Sequence, residues 1–299
     1  MSEGMSRSDQ QELISSHAEQ RTWSKIVWRS GMRNSSFKIG GILVLLVIAT
    51  AVLAPWIAPY DPLDVESARR LESPSSRHWF GTDNFGRDVL SRVIYGGRLS
   101  LRLGLVSVGI GTIIGGGMGL ISGYHGGWTD TIIQRFVDML FAFPGILLAM
   151  IVVFVLGPGL FNLMVAVGIG QVPRFARIVR GSVLSVREMV YIESSRASGA
   201  KDQRILLRHV LPNILAPIII VGTLGLAQAI ISAAALSFLG FGAEPPTPEW
   251  GVMLSTGRAR LLTAWWMTTF PGLAIMITVL SFNVFGDGLR DALDPKDIN

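Results

Sequence analysis

The sequence predicts an all-α integral membrane protein with six transmembrane helices and both termini cytoplasmic, on three observations. Hydrophobic residues make up 49% of the 299-residue chain and charged residues 16%, a balance that suits lipid as the main solvent. Six apolar runs, at 37–58, 101–122, 132–156, 160–180, 213–239 and 266–286, each approach the roughly 20 residues a helix needs to cross hydrocarbon. Lys and Arg divide sixteen against eight between the two sets of connecting segments, and the richer set faces the cytoplasm.

Taken in order, residues 1–36 form a polar tail rich in Ser, Gln and Glu that turns basic and aromatic at Trp23, Lys25, Trp28, Arg29 and Arg33. Two readings of that turn stand side by side: a helix lying along the membrane surface, or an unstructured tail ending in basic anchors. The first span, 37–58, is too far from the start for a cleaved secretory signal. An extracytoplasmic loop of about 40 residues follows at 59–100, opened by Ala58-Pro59-Tyr60-Asp61-Pro62 in the reading frame Ala-Pro-Tyr-Asp-Pro, with Pro stopping the helix.

The core at 101–287 then holds five helices, interrupted by a long cytoplasmic loop at 181–212, and residues 288–299 form a cytoplasmic C-terminal tail.

Within the second span Gly111, Gly115 and Gly119 recur every four residues, which lets a neighbouring backbone approach closely. No Lys-Ser or Lys-Thr follows this glycine run, so it is not a phosphate cradle. Pro144, Pro173, Pro217 and Pro271 fall in or beside spans, where each removes a backbone hydrogen bond and kinks the helix. Arg135 and Asp138 lie three apart, close enough for an ion pair within or between helices. Arg174, Arg177 and Arg180 crowd toward the cytoplasmic end of the fourth span, a pattern of snorkelling anchors and not of a voltage sensor, which needs charge through mid-span.

The formal charge of +5 is spread beside apolar runs and forms no single basic face, so nucleic acid is not a partner. Cysteine is absent, which excludes disulfides, thiol nucleophiles and thiolate metal sites. None of the four lysines (Lys25, Lys38, Lys201, Lys296) follows a glycine, so the chain lacks a Walker A loop. His17, His78, His125 and His209 show no paired metal spacing. An autonomous channel or ion-coupled carrier would need carboxylates near mid-span, for which Asp138 is the nearest candidate. A membrane enzyme would need a convergent acid, base or nucleophile set, and the sequence displays none.

The long cytoplasmic loop reads Glu193-Ser194-Ser195-Arg196-Ala197-Ser198-Gly199-Ala200, and after a basic amphipathic stretch His209-Val210-Leu211-Pro212. Small side chains fill most positions from 194 to 200, and Gly199 is suited to end a helix by adopting positive φ. Pro212 fits the start of the fifth span, where a missing N–H is harmless. From the residues alone this is either a short flat-faced helix made for a partner's groove or a plain charged connector.

Glu, two small residues, Gly six positions after the Glu, and Leu-Pro ending thirteen beyond that Gly resemble the EAA loop of ATP-binding cassette importer permeases. Three further segments, Phe80 to Arg92, Ala243 to Gly251 and Phe285 to Pro295, resemble the C-type permeases of dipeptide, oligopeptide, glutathione and nickel importers. The resemblance implies a type I importer fold in a bacterial or archaeal inner membrane. It implies as partners a homologous second permease, two cytoplasmic ATPase subunits that bind the ATP, and an extracytoplasmic solute-binding protein, with no cofactor in this chain. Glu193, Ser194, Ser195, Gly199, Leu211 and Pro212 are the positions it assigns to ATPase coupling. Short peptides are the implied cargo, with glutathione or a nickel chelate as the alternative. The stiff loop carrying Pro245, Pro246 and Pro248, with Trp250, Trp265 and Trp266 suited to the membrane interface, reads as an outer-gate scaffold, a receiver for the binding protein, or an inert connector.

Overall fold

The computed structural model describes Gly31 and residues 34–293. Its main helices are α1 (Ser35–Val52), α2 (Val89–His125), α3 (Gly127–Phe141), α4 (Gly145–Leu156), α5 (Leu160–Arg187), α6 (Val190–Ala197), α7 (Leu211–Phe238), α8 (Trp250–Gly257) and α9 (Trp266–Leu293). Among the described residues the departure toward β structure is one isolated bridge between Thr82 and Asp88. The tail readings built on Trp23, Lys25, Trp28, Arg29 and Arg33 lie outside the described residues, as do residues 294–299.

The centre of the fold is the pair α2 and α5, which run parallel with their backbones nearly touching. Gly111 faces Gln171 and Phe175, Gly115 the Val172 carbonyl, Gly119 the Ala176 carbonyl and Gly123 Val183. A methyl group at Gly115 or Gly119 would overlap a backbone oxygen, so the four-residue glycine period makes the tight helix contact that its spacing predicts. Ser107 closes the contact by donating to the Met164 carbonyl at 2.9 Å. Helices α4 and α7 pack on this pair through Leu103, Ala149, Val153, Leu163, Phe175, Ala233 and Leu236, all buried. Helix α1 lies against α9, where Gly40 and Gly288 let the two backbones meet and the Phe37 and Phe285 rings sit 5.3 Å apart. Its other faces expose Leu45, Leu46 and Ile42, as a helix surrounded by lipid or a partner should.

All six predicted runs are helical, with differences that have identifiable causes. Among the described residues four helical segments are long and apolar enough to cross a membrane alone: Ser35–Val52, Val89–His125, Asp202–Phe238 and Trp266–Leu293. The third run, 132–156, is not one rod but α3 and α4 meeting at 90°. Pro144 supplies the break, because it cannot donate to the helix and biases Phe143 away from helical backbone. The fourth run lies in α5, 28 residues long, whose Gln171, Arg174, Arg177 and Arg180 keep it below the apolarity of the others. The loop at 59–100 is shorter than its composition suggests, since α2 already begins at Val89. Asp88 caps it, accepting from the Ser91 N–H and the Ser91 hydroxyl at 2.7 Å each. At the other end, helix α9 continues through Leu293 into the segment expected to be tail.

Candidate coupling surface

Helix α5 runs on to Arg187, so the non-spanning part of the 181–212 loop shrinks to residues 188–201, with α6 in its middle. One side chain fixes α6 to the protein. Ile192 is fully buried, in a cluster with Tyr124, Val183, Val186, Ile205, Val210 and Ile214. The neighbouring Met189, Val190 and Tyr191 face outward, with Val190 78% exposed. Burying an Ile side chain is worth about 1.5–3 kcal/mol, enough to hold an eight-residue helix that would be marginal alone.

Ser194 and Ser195 lie on this helix, and their hydroxyls turn back onto its own carbonyls. Ser194 Oγ donates to Val190 O at 3.0 Å and Ser195 Oγ to Tyr191 O at 2.8 Å, and Ser198 Oγ repeats the pattern onto Ser194 O. With their polarity satisfied locally, these serines present a surface nearly as smooth as alanine. Glu193 is exposed beside them. Gly199 ends the helix at φ +78°. Its N–H bonds Arg196 O at 2.9 Å and the Ala200 N–H bonds Ser195 O at 3.1 Å, the two bonds of a Schellman cap.

Leu211 and Pro212 are placed differently from the sequence reading. Pro212 does not begin a fresh helix, because helical backbone is continuous from Asp202 to Phe238. A π-helical turn, Leu206–Val210, immediately precedes it, with the Leu211 N–H reaching back to Leu206 O. The wider turn accommodates the proline ring and its missing donor, while Asn213 Nδ2 donates to His209 O at 2.6 Å. Leu211 packs beside the Ile192 cluster. Glu193, Ser194, Ser195 and Gly199 thus form one largely exposed strip with Met189 to Tyr191, whereas Leu211 packs in the support behind it and Pro212 is exposed at the start of α7. Met189, Val190 and Tyr191 escaped the motif-based assignment, although four consecutive apolar residues in a polar loop are a readable signal.

Polar ties beside this strip join the ends of the spans to one another, and one reaches the strip itself. Tyr124 at the end of α2 donates to Asp202 Oδ1 at 2.6 Å, and the Arg196 guanidinium lies 5.3 Å from the same ring. Arg187 donates to Gly123 O at 2.8 Å. Arg180 grips Asp130 on α3 with two bonds of 2.6 and 2.7 Å. Arg177 pairs with Asp138 at 2.8 Å, so Asp138 takes an interhelical partner instead of Arg135.

The opposite end is closed by an ordered cap built from two of the motif segments. Asp83 accepts from the Phe85 and Arg87 N–H groups and from Arg87 Nε at 2.6 Å. Arg92, buried, donates to Pro62 O at 2.8 Å and Pro246 O at 3.2 Å, joining the first loop to the proline loop. Trp250 donates to Val93 O and Trp266 to Thr82 O, so these tryptophans are structural struts. Glu249 caps α8 by accepting from the Gly251 and Val252 N–H groups at 2.9 Å. Burial pushes its carboxyl above the ordinary range, opposed by those two N–H bonds. The third segment, Phe285 onward, lies away from this cap, against α1.

The molecule is thus a helical membrane bundle with an exposed helix at one end and a closed cap at the other. The chain belongs to the family of binding-protein-dependent transport system inner membrane components, which it matches over residues 115–297. Residues 22–74 match the N-terminal TM domain of oligopeptide transport permease C. It is 49% identical over 277 residues to the glutathione transport system permease protein GsiD of Pectobacterium atrosepticum, covering 92% of both chains. To the dipeptide transport system permease protein DppC of Alkalihalophilus pseudofirmus it is 48% identical, covering 90% of both. Two inward-facing structures of the MetNI methionine ABC transporter share its fold, with TM-scores of 0.55 and 0.53 at 22% identity. Each covers 69% of this chain, and the match spans 97% and 98% of the two neighbours. The all-helical type I importer permease fold implied by the sequence resemblance is therefore the fold observed.

Proposed function

We propose that this chain forms half of the translocation pathway of an ATP-driven importer of short peptides in a bacterial inner membrane, with a homologous permease as the other half. ATP is bound and hydrolysed by two separate cytoplasmic subunits, one of which docks on the strip from Met189 to Gly199. The α6 end, and with it both termini, faces the cytoplasm, and a solute-binding protein delivers cargo to the capped end. The observation that carries the reading is α6 itself: an exposed helix with Met189, Val190 and Tyr191 turned outward, anchored by the buried Ile192 against α2 and α5. A surface of this kind needs a partner to cover it. Glutathione is the second reading, favoured by the relative from Pectobacterium atrosepticum.

The test is Val190→Glu in an affinity-tagged chain expressed with its neighbours. Co-purification of the ATPase subunits and uptake of labelled dipeptide should both collapse, while the second permease stays bound. Normal ATPase retention with normal uptake would overturn the docking assignment, and solute flux through the lone chain in liposomes would overturn the importer reading.

A further inference from the structure

The break between α3 and α4 and one arginine beside it together mark a functional wall of the membrane bundle. Residues 141–147 are all exposed and join α3 and α4 at 90°. Irregular backbone within hydrocarbon is tolerated where it lines a water-filled cavity or is buried in protein, not where it meets lipid. This chain does not bury it.

Helix α5 passes directly behind the break. On one side Gly170 touches Gly145, where an added methyl would lie 3.3 Å from the Gly145 carbonyl oxygen. On the other side Arg177 pairs with Asp138 and stacks 4.0 Å from the Phe141 ring centroid. Arg174 stands between them, four residues after Gly170 and three before Arg177, hence on the same face and opposite the break. It is exposed. Arg177 and Arg180 hold Asp138 and Asp130, whereas Arg174 has no carboxylate partner among the described residues.

Arg174 is the deepest of the three arginines. Ser122, Asp130 and Arg180 bond one another, the exposed Arg177–Asp138 pair lies about one turn deeper, and Arg174 lies three residues, about 4.5 Å, beyond that pair along α5. Its neighbours Val172 and Ala176 face Gly115 and Gly119 of α2, so Arg174 points away from α2 toward the break. An unpaired cation within a span is costly unless it faces water or a counter-charge.

We propose that Arg174 lines the translocation pathway and binds the carboxylate of the passing solute, the group that every peptide with a free C-terminus carries. The guanidinium fork suits a carboxylate bidentately. Ordinary snorkelling is the sequence-level expectation for this residue, and the break opposite it is what changes the assignment. The proposal rests on the peptide-importer reading for the identity of the ligand and on geometry alone for the pathway.

The absence of cysteine in the chain permits a clean test in the assembled importer. Arg174→Cys should react with a membrane-impermeant methanethiosulfonate at least about tenfold faster than Ile113→Cys, as a water-facing thiol does relative to one in lipid. Arg174→Gln should cut dipeptide uptake by about tenfold, the loss of one charge-assisted pairing. Arg174→Lys should recover most of it, with subunit assembly and basal ATP hydrolysis unchanged in both. Equal labelling of the two cysteines would place Arg174 against lipid or the partner permease and overturn the pathway assignment. Uptake by Arg174→Gln at the wild-type level, or no better by Arg174→Lys, would overturn the carboxylate contact. If wild-type importer takes up no dipeptide, the peptide reading fails, and the labelling comparison still decides whether Arg174 faces the pathway.

Discussion

Gly199 separates two contributions that a docking loop must make, its shape and its accessibility. At φ +78° the residue occupies the left-handed region, where an L-side chain costs about 1–2 kcal/mol. A methyl group there meets no atom of this chain within 4 Å, so Gly199→Ala adds strain with no internal clash. That strain lowers the ratio of closed to open Schellman cap by about 5- to 30-fold. Asn tolerates left-handed backbone far better, so Gly199→Asn should keep most uptake and Gly199→Ala an intermediate amount. Gly199→Trp carries the alanine strain and also fills the space in front of α6, where the ATPase subunit is proposed to sit. It should lose uptake by more than a further tenfold, as truncating or blocking an interface centre does, and release the ATPase on affinity purification. The assay is labelled dipeptide uptake in vesicles, with subunit ratios read from the same membranes. Trp and Ala variants that match in both readouts would refute docking across Gly199, and an alanine variant equal to wild type would refute the conformational demand.

The glycine contact between α2 and α5 makes a sharper stability prediction within one helix. Gly115→Ala, whose methyl would overlap the Val172 carbonyl, should destabilise the detergent-solubilised protein by about 1–3 kcal/mol, while Gly117→Ala, facing open space, should shift thermal unfolding by no more than about 0.5 kcal/mol. Ile192→Ala should cost about 2–5 kcal/mol locally and expose the 188–201 segment to proteolysis while the spans remain intact. Arg92→Gln strands the Pro62 and Pro246 carbonyls and should loosen the outer cap by about 1–3 kcal/mol, read as faster protease cutting between residues 59 and 88. Exchanging the Asp130 and Arg180 side chains should restore assembly lost in either single charge reversal, with a coupling of about 0.5–3 kcal/mol in a double-mutant cycle.

Much of the spanning architecture was legible because lipid imposes one rule on every span, a long apolar run. The glycine period at 111, 115 and 119 was legible for the same reason, since small residues have few other uses there. Where apolarity and helicity part company the sequence misled. Residues 89–100 are helical although Ser91, Arg92, Arg98 and the Gly96-Gly97 pair interrupt their apolar pattern, because Asp88 caps the helix and the outer cap supplies partners such as Pro62 O for Arg92. The break at Ala142–Pro144 interrupts a run of nearly uniform apolarity, so only the proline hinted at it, and Pro173 and Pro217 lie inside helices that continue past them. At the coupling surface, the small residues and Gly199 were readable from local chemistry. The π-turn before Pro212 was not, because it answers the ring's clash with a geometry that no single residue announces. Asp138 shows the limit of spacing rules: Arg135 is near in sequence, but Arg177 is near in space.

The contact between α2 and α5 has a mechanical consequence. At its centre Gly115 and Gly119 meet the Val172 and Ala176 carbonyls directly, so at that level little side chain lies between the two rods to absorb a push by changing rotamer. A joint packed through leucines has slack on the scale of a methyl group; this one has almost none. The pair therefore behaves as one stiff shaft over its shared length, at most about 42 Å from the 28 residues of α5. Any tilt imposed near Tyr124 and Arg187, beside the candidate coupling strip, is carried along that length with little loss of amplitude.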